Sequence, residues 1–348
     1  MTTAIDLAAA LEHERVIVIH DPESGLRSVV AIHSSALGPA VGGTRMRAYS
    51  SFDDAVVDAL RLARAMTYKA AYAGLAMGGA KAVIDADPGR ADRRALLAAH
   101  AKAVRELEGR FVTGGDMGVD LDDVRFMAQF SRAFEHAPKG SGPDASELTA
   151  IGVFAAIRAT AARLGLGLVG LRVAIQGAGE VGARLAARLG EAGARVVVAD
   201  LVGERAHAAA EVSGREVVDP ATILAAECDV LSPNAAGGVL DLAAIERLRC
   251  RAVCGAANNP LAAPECGDEL ARRGILYAPD FVASADGILS LLFERGELDA
   301  AGIVARVERI GDDLAELFDA AQSEGIPPFR LAERRVDDKL AAARAARF

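Results

Sequence analysis

The sequence predicts an α/β protein of two domains. Three observations predict it: a pair of β-branched runs near the start, one Pro/Gly/Ser-dense run in mid-chain, and beyond that run a regular alternation of apolar strands with helices. The chain has 348 residues, 52% of them hydrophobic, which is enough apolar material for two packed cores and excludes a disordered chain.

The elements follow in order. Arg15 to His20 and Ser28 to His33 read as strands separated by Asp-Pro and Ser-Gly turn signals, hence a hairpin. A helix is predicted from Ser51 to Tyr68, with Ser51 and Asp54 as a capping pair and Ala55, Ala59, Leu62, Ala63 and Met66 on one face. Leu75 to Asp87 is Gly-rich and then strand-like. Arg90 to Glu108 is a second helix closed by Gly109, and Phe111 to Thr113 a short strand. Ala137 to Pro143 marks the domain boundary, so the domains are expected at 1–140 and 141–320, with a terminal helical segment 321–348. The second domain reads helix 149–164, strand 172–176, helix 180–192 and strands 195–200, 229–232 and 252–254, a pattern of parallel strands with helices on both faces. The last 40 residues are helical, interrupted at Gly325-Ile326-Pro327-Pro328.

Composition narrows the function. A net charge of −9 argues against a broad basic surface for nucleic acid or anionic lipid, and 4% aromatic residues without Trp argue against base stacking. The four cysteines (228, 250, 254 and 266) form no C-x-x-C pair and read as buried thiols, with no metal site expected. Every 18-residue apolar window is broken by polar residues, and the start lacks a signal-peptide layout, so the expectation is a cytoplasmic protein without a membrane span.

Gly177-Ala178-Gly179-Glu180-Val181-Gly182 is a G-x-G-x-x-G run. It follows the apolar strand Val173-Ala174-Ile175 and precedes a helical segment, and Asp200 ends the next strand 23 residues after Gly177. In that context Gly177 serves the tight turn, Gly179 the approach of a pyrophosphate and Gly182 the packing of helix on strand, while the helix N-terminus offers free N–H groups to phosphate. Asp200 would accept from an adenosine ribose and repel a 2′-phosphate, which favours NAD over NADP. The C-terminal domain is therefore expected to be a Rossmann-type, doubly wound NAD-binding domain.

Only five of the 39 basic residues are lysine, and Lys69 and Lys81 are the only charges in residues 65–84. A lysine in apolar surroundings, beside a second ammonium, loses its proton more easily and can serve as a base near neutral pH. The alternative is that both amines snorkel to solvent past small neighbours. Asp116, in Thr113-Gly114-Gly115-Asp116-Met117-Gly118 just after a predicted strand, would supply a carboxylate beside the lysine. Its alternative is an ordinary turn-forming Asp.

These residues together resemble the glutamate/leucine/phenylalanine/valine dehydrogenase family over nearly the whole chain. The motifs that carry the resemblance are Leu75-x-x-Gly78-Gly79-Ala80-Lys81-x-Val83 with Asp87-Pro88, the glycine motif from Ala36 to Met46, and Ala65-Met66-Thr67-Tyr68-Lys69. Gly255-Ala256-Ala257-Asn258-Asn259 and Tyr277-Ala278-Pro279-Asp280-Phe281 add to it. The resemblance implies an N-terminal substrate and oligomerisation domain, a C-terminal cofactor domain, and a last helix returning to the first. It implies that Lys69, with backbone around Gly42 and Gly43, binds the substrate carboxylate. Lys81 would activate water, Asp116 would exchange protons with the amine, and Asn259 would hold the amino-acid head. Thr149, Ala235, Ala236 and Asn258 join Gly177, Gly179, Glu180, Val181, Gly182 and Asp200 as expected cofactor contacts. Gly114 and Ile288 fall at pocket walls.

The reaction so implied is reversible: L-amino acid, water and NAD give 2-oxo acid, ammonium and NADH. The glycine at 114 leans towards a phenylalanine-type pocket. An apolar pocket distinguishes one methyl by only about 1–3 kcal/mol. The chain departs from the family at Ser284-Ala285-Asp286-Gly287, where Asn-Ala-Gly-Gly is usual, and Asp286 either faces solvent or alters the site. Two other readings are a 2-hydroxy-acid dehydrogenase, which would want a His–carboxylate pair, and a non-catalytic homologue sensing NAD or an amino acid. A homo-oligomer is expected, with small-molecule partners only.

Overall fold

The computed structural model describes residues 4–134, 144–213 and 216–346. The boundary expected at 137–143 lies outside the described residues. The chain divides into two units, Met1–Gly140 with Val336–Phe348, and Ser141–Arg335.

The first unit carries strands β1 (Arg15–Asp21), β2 (Leu26–Ser34), β3 (Ala40–Val41), β4 (Thr44–Arg47), β5 (Gly78–Asp85) and β6 (Phe111–Val112). They form a sheet in the order β1-β2-β5-β3-β6, with β4 also pairing β5. The expected hairpin is present: β1 and β2 run antiparallel from Arg15↔Ile32 to Asp21↔Leu26. Side chains alternate across a strand, so β2 and β5 feed two cores. Val30, Ile32, Ala80, Ala82 and Ile84 pack with Met46, Leu96, Leu97, Val104 and Phe111 on one face. On the other, Val29, Ala31 and Val83 pack with Ala55, Val56, Ala59, Leu60 and Ala63 of the helix Phe52–Tyr72. Each such aliphatic side chain taken fully out of water contributes roughly 1.5–3 kcal/mol. Ser51 caps that helix, its hydroxyl accepting from the Asp54 N–H at 3.2 Å, and the helix runs one turn past the predicted end. The terminal segment of the chain is tied into this unit: Lys339 Nζ donates to the Ala71 carbonyl at 2.8 Å and the Tyr68 hydroxyl to Asp337.

The second unit carries β7 (Arg172–Gln176), β8 (Arg195–Ala199), β9 (Glu216–Val217), β10 (Val230–Pro233), β11 (Ala252–Val253) and β12 (Leu276–Tyr277). All pair in parallel, in the order β12-β11-β10-β7-β8-β9. The chain builds outward from β7 to β9, then returns to the far side of β7 with β10. That places a topological switch point at the C-terminal ends of β7 and β10, where open α/β sheets bind ligands. The helix Ala145–Arg163 begins four residues before its predicted start, because Asp144 caps it by accepting from the Ser146 and Glu147 N–H groups. By length and composition this helix is apolar enough to cross a membrane, as the mostly buried core helix of a soluble domain also can be. Its buried residues Leu148, Val153, Ala156 and Ile157 belong to the core of this unit, and Ala155 abuts Gly311 of the helix Ile310–Glu324.

Candidate active site

In the first unit, the alternation along β5 sends Lys81 to the same face as Val83, towards the helix that carries Lys69. Both lysines are 6% exposed, so neither amine snorkels to water. Lys81 Nζ lies 2.7 Å from Asp116 Oδ2. Two neighbouring segments set this distance. The Thr44 N–H donates to the Gly114 carbonyl at 2.9 Å and the Met46 N–H to the Met117 carbonyl at 2.9 Å, zipping the segment that bears Asp116 onto β4. β4 in turn pairs in parallel with β5. A Cβ on Gly43 would lie 2.8 Å from the Gly115 carbonyl oxygen and 2.9 Å from Asp116 Cβ, and one on Gly42 would lie 1.7 Å from the Ala80 carbonyl oxygen. Glycine at 42 and 43 is therefore required for the lysine and the carboxylate to meet.

Sequence reasoning missed a third charge here. Arg45 Nε donates to the same Asp116 Oδ2 at 3.0 Å, and its Nη1 donates to Asp58 Oδ2 at 2.9 Å, which also accepts from the Tyr49 hydroxyl. The signal was present, since Arg45 is the only charge between Ala36 and Met46. Burial by itself would raise the Asp116 carboxyl. The Lys81 ammonium and the Arg45 guanidinium, with their hydrogen bonds, outweigh it and hold the group well below the usual carboxylate range.

In the second unit, Gly177 follows β7 with φ +96°, a left-handed conformation that favours glycine. A Cβ on Gly177 would lie 2.8 Å from the Cβ of Ala235, so the turn after β7 and the loop after β10 meet at the switch point. A Cβ on Gly182 would lie 1.9 Å from the Gly177 carbonyl oxygen, whereas one on Gly179 meets nothing within 4 Å. The turn is thus closed on the protein side and open at Gly179, which caps the helix Glu180–Glu191 without any side-chain acceptor for its first N–H groups. Val181 is half-buried in that first turn, and Glu180 accepts from Ser146 Oγ at 2.7 Å. Asp200 braces the turn, Oδ2 accepting from the Ala178 N–H at 2.7 Å and Oδ1 from the Val202 N–H at 2.8 Å. These residues fit a dinucleotide: free N–H groups for the pyrophosphate and a carboxylate unfavourable to a 2′-phosphate.

The remaining expected site residues fall as follows. Ala235, Ala236 and Asn258 are exposed in loops at the C-terminal edge of the parallel sheet, and Asn234 ties two of these loops by accepting from the Ala256 N–H at 2.9 Å. Asn259 adopts φ +49°, held by its N–H donating to Asp280 Oδ2 at 2.8 Å, while Asp280 Oδ1 accepts from the Tyr277 hydroxyl at 3.0 Å. Gly114 is half-buried and Ile288 is buried. Asp286 does not face solvent: it is 3% exposed, in the first turn of the helix Asp286–Glu294, and accepts from the Thr149 hydroxyl. Among the described residues, no three His, Cys, Asp or Glu side chains are grouped to hold a metal.

Glycine-lined lysine–aspartate chemistry in one unit and a dinucleotide turn in the other define an NAD-linked oxidoreductase, and comparison with known proteins gives its family. Residues 13–132 match the Glu/Leu/Phe/Val dehydrogenase dimerisation domain, and residues 140–203 and 198–321 match the Glutamate/Leucine/Phenylalanine/Valine dehydrogenase domain. The chain is 37% identical over 345 residues to leucine dehydrogenase of Thermoactinomyces intermedius, covering 96% of this chain and 93% of the relative. It is 41% identical over 343 residues to valine dehydrogenase of Streptomyces albus, covering 96% and 94%. Its fold matches the crystal structure of L-tryptophan dehydrogenase from Nostoc punctiforme with a TM-score of 0.78 at 33% identity, covering 98% and 99%. The chain belongs to the Glu/Leu/Phe/Val dehydrogenase family, and it is an NAD-dependent amino-acid dehydrogenase, an oxidoreductase acting on CH–NH2 donors.

Proposed function

We propose that this enzyme oxidatively deaminates an L-amino acid with an apolar side chain to its 2-oxo acid and ammonium, reversibly, with Lys81 and Asp116 handling the protons. The 2.7 Å contact between buried Lys81 and half-buried Asp116, groups of opposite charge, carries this reading. NAD, when bound, supplies the hydride acceptor; Gly177, Gly179, Glu180, Val181, Gly182 and Asp200 would hold its phosphates and adenosine, and Thr149, Ala235, Ala236 and Asn258 its nicotinamide end.

Lys69, with the backbone at Gly42 and Gly43, binds the substrate carboxylate, and Asn259 its amino-acid head. Lys81 takes the proton of the water that replaces the amine and holds the carbonyl oxygen. Asp116, kept ionised by its two cations, accepts a proton from the substrate ammonium and returns it to the departing amine. Gly114 and Ile288 are the proposed contacts of the substrate side chain, and an apolar side chain suits the leucine-, valine- and tryptophan-named relatives. The sequence offers no obvious extra lysine for a second substrate carboxylate.

The enzyme works as a homo-oligomer through its first unit and acts in the cytoplasm. The outward apolar residues Val16 and Val18 of β1 are suited to the subunit contact. Chain boundaries of function follow 1–140, 141–320 and 321–348. The test is NADH formation at 340 nm across a panel of L-amino acids, and ammonium-dependent NADH oxidation with the matching 2-oxo acids. Turnover is expected with leucine, valine, phenylalanine or tryptophan and not with glutamate. NADH oxidation that ignores ammonium would return the assignment to a 2-hydroxy-acid dehydrogenase, and no turnover on any of the panel would favour a sensing homologue.

A further inference from the structure

One oxygen, Asp116 Oδ2, holds two cations: Lys81 Nζ at 2.7 Å and Arg45 Nε at 3.0 Å. The two differ in kind. A lysine can give up its proton during a reaction, and an arginine in a protein cannot. Arg45 is itself fixed. Its side chain is 11% exposed, it stands on β4 in register with Val83 of β5, and its second nitrogen is held by Asp58, which the Tyr49 hydroxyl also engages. Facing Asp116 are Lys81 from β5 and Arg45 from β4, and behind Arg45 stand the Asp58 carboxylate and the Tyr49 hydroxyl.

We propose that Arg45 is a positioning residue of the reaction, holding the Asp116 carboxylate in place and in its charged form while Lys81 is without its proton. This rests on the reading that Lys81 and Asp116 handle the protons. With all four groups charged, Lys81 and Arg45 balance Asp116 and Asp58. Once Lys81 is neutral, Asp116 would be left beside an uncharged amine in a site only 24% exposed, where an unpaired carboxylate takes up a proton readily. Arg45 keeps a permanent positive charge on the same oxygen. The protonation of Asp116 is thereby uncoupled from that of Lys81, so base and carboxylate can act at different moments of one cycle.

The experiment compares pH profiles of kcat/KM, together with NAD titrations and thermal melts, for the full-length wild type, Arg45→Gln and Arg45→Lys. Arg45→Gln is expected to lower kcat by about tenfold or more. The acid limb should move to higher pH as the Asp116 carboxyl rises towards its ordinary range, while NAD affinity stays within about twofold, a factor worth under 0.5 kcal/mol. Arg45→Lys keeps the charge without the fork that reaches both acids, so its acid limb should stay at the wild-type position while kcat is only partly restored. If Arg45→Gln does not fold, Arg45→Lys carries the test, and a lysine variant with unchanged kcat overturns the proposal. A folded Arg45→Gln enzyme with the wild-type profile and rate overturns it as well. A wild type that turns over no amino acid overturns the reading of the site, and this proposal with it.

Discussion

The two units hold their chemical groups by opposite means. Around Lys81 and Asp116, side-chain charges meet beside Gly42 and Gly43, where an added Cβ would crowd the backbone, and the ion pair is the group proposed to do the chemistry. At the turn after β7 the group proposed to bind is backbone, the N–H groups at the start of Glu180–Glu191, and the Asp200 carboxylate braces that backbone. The first kind of site fails when a charge is removed and tolerates little change of geometry. The second depends mainly on backbone placement and fails when an atom is added where the turn is closed.

Single substitutions separate the two kinds of site. The largest effect should come from Asp116→Asn, which keeps the shape and removes the charge. Its kcat is expected to fall by about 10²–10⁴-fold, the usual range for losing a proton-transfer group, with NAD affinity unchanged by fluorescence titration. Gly182→Ala should do the reverse. Its Cβ would press on the Gly177 carbonyl oxygen, and calorimetric titration should show NAD weakened by about tenfold or more, 1.4 kcal/mol per decade, while proton chemistry at saturating cofactor persists.

A third test concerns stability. His100 is buried against Ser28 and His33 against Thr67, and burial lowers them to about 4 and about 3. Both are held neutral in the folded protein, while the unfolded chain takes up their protons near pH 6.5. Stability is therefore full above pH 6.5 and falls as pH drops from there towards 4, by up to about 1.4 kcal/mol per pH unit for each histidine. Denaturant melts between pH 7.5 and 4.5 should show the decline, and His100→Asn should make it shallower, leaving the His33 share. The smallest effect is expected of Asp200→Ser, which removes the carboxylate that disfavours a 2′-phosphate. NADP should gain on NAD by about tenfold, with loosening of the turn costing both cofactors some affinity.

What the sequence disclosed depended on how local the cause was. β7 could be read residue for residue because an apolar run, a glycine turn and a helix follow one another within 20 residues. β3, β4 and β12 could not, since strands of two to four residues carry no period and are fixed by partners far along the chain. Lys81 and Asp116 were marked by charge standing alone among small residues. Arg45 carried the same mark and was passed over, because its meaning comes from Asp58 and Asp116, which lie 13 and 71 residues away. Asp286 was half legible. Its departure from the family pattern was visible, but its burial against Thr149 depends on a helix packed from 137 residues upstream.

The central claim is that proton chemistry and cofactor binding belong to separate sets of residues, with the base at Lys81. The most direct measurement is NADH formation by Lys81→Ala at saturating NAD and amino acid, with NAD titrated into the same preparation. An ordinary NAD isotherm and no NADH above background are expected. Wild-type NADH production from that variant would contradict the claim.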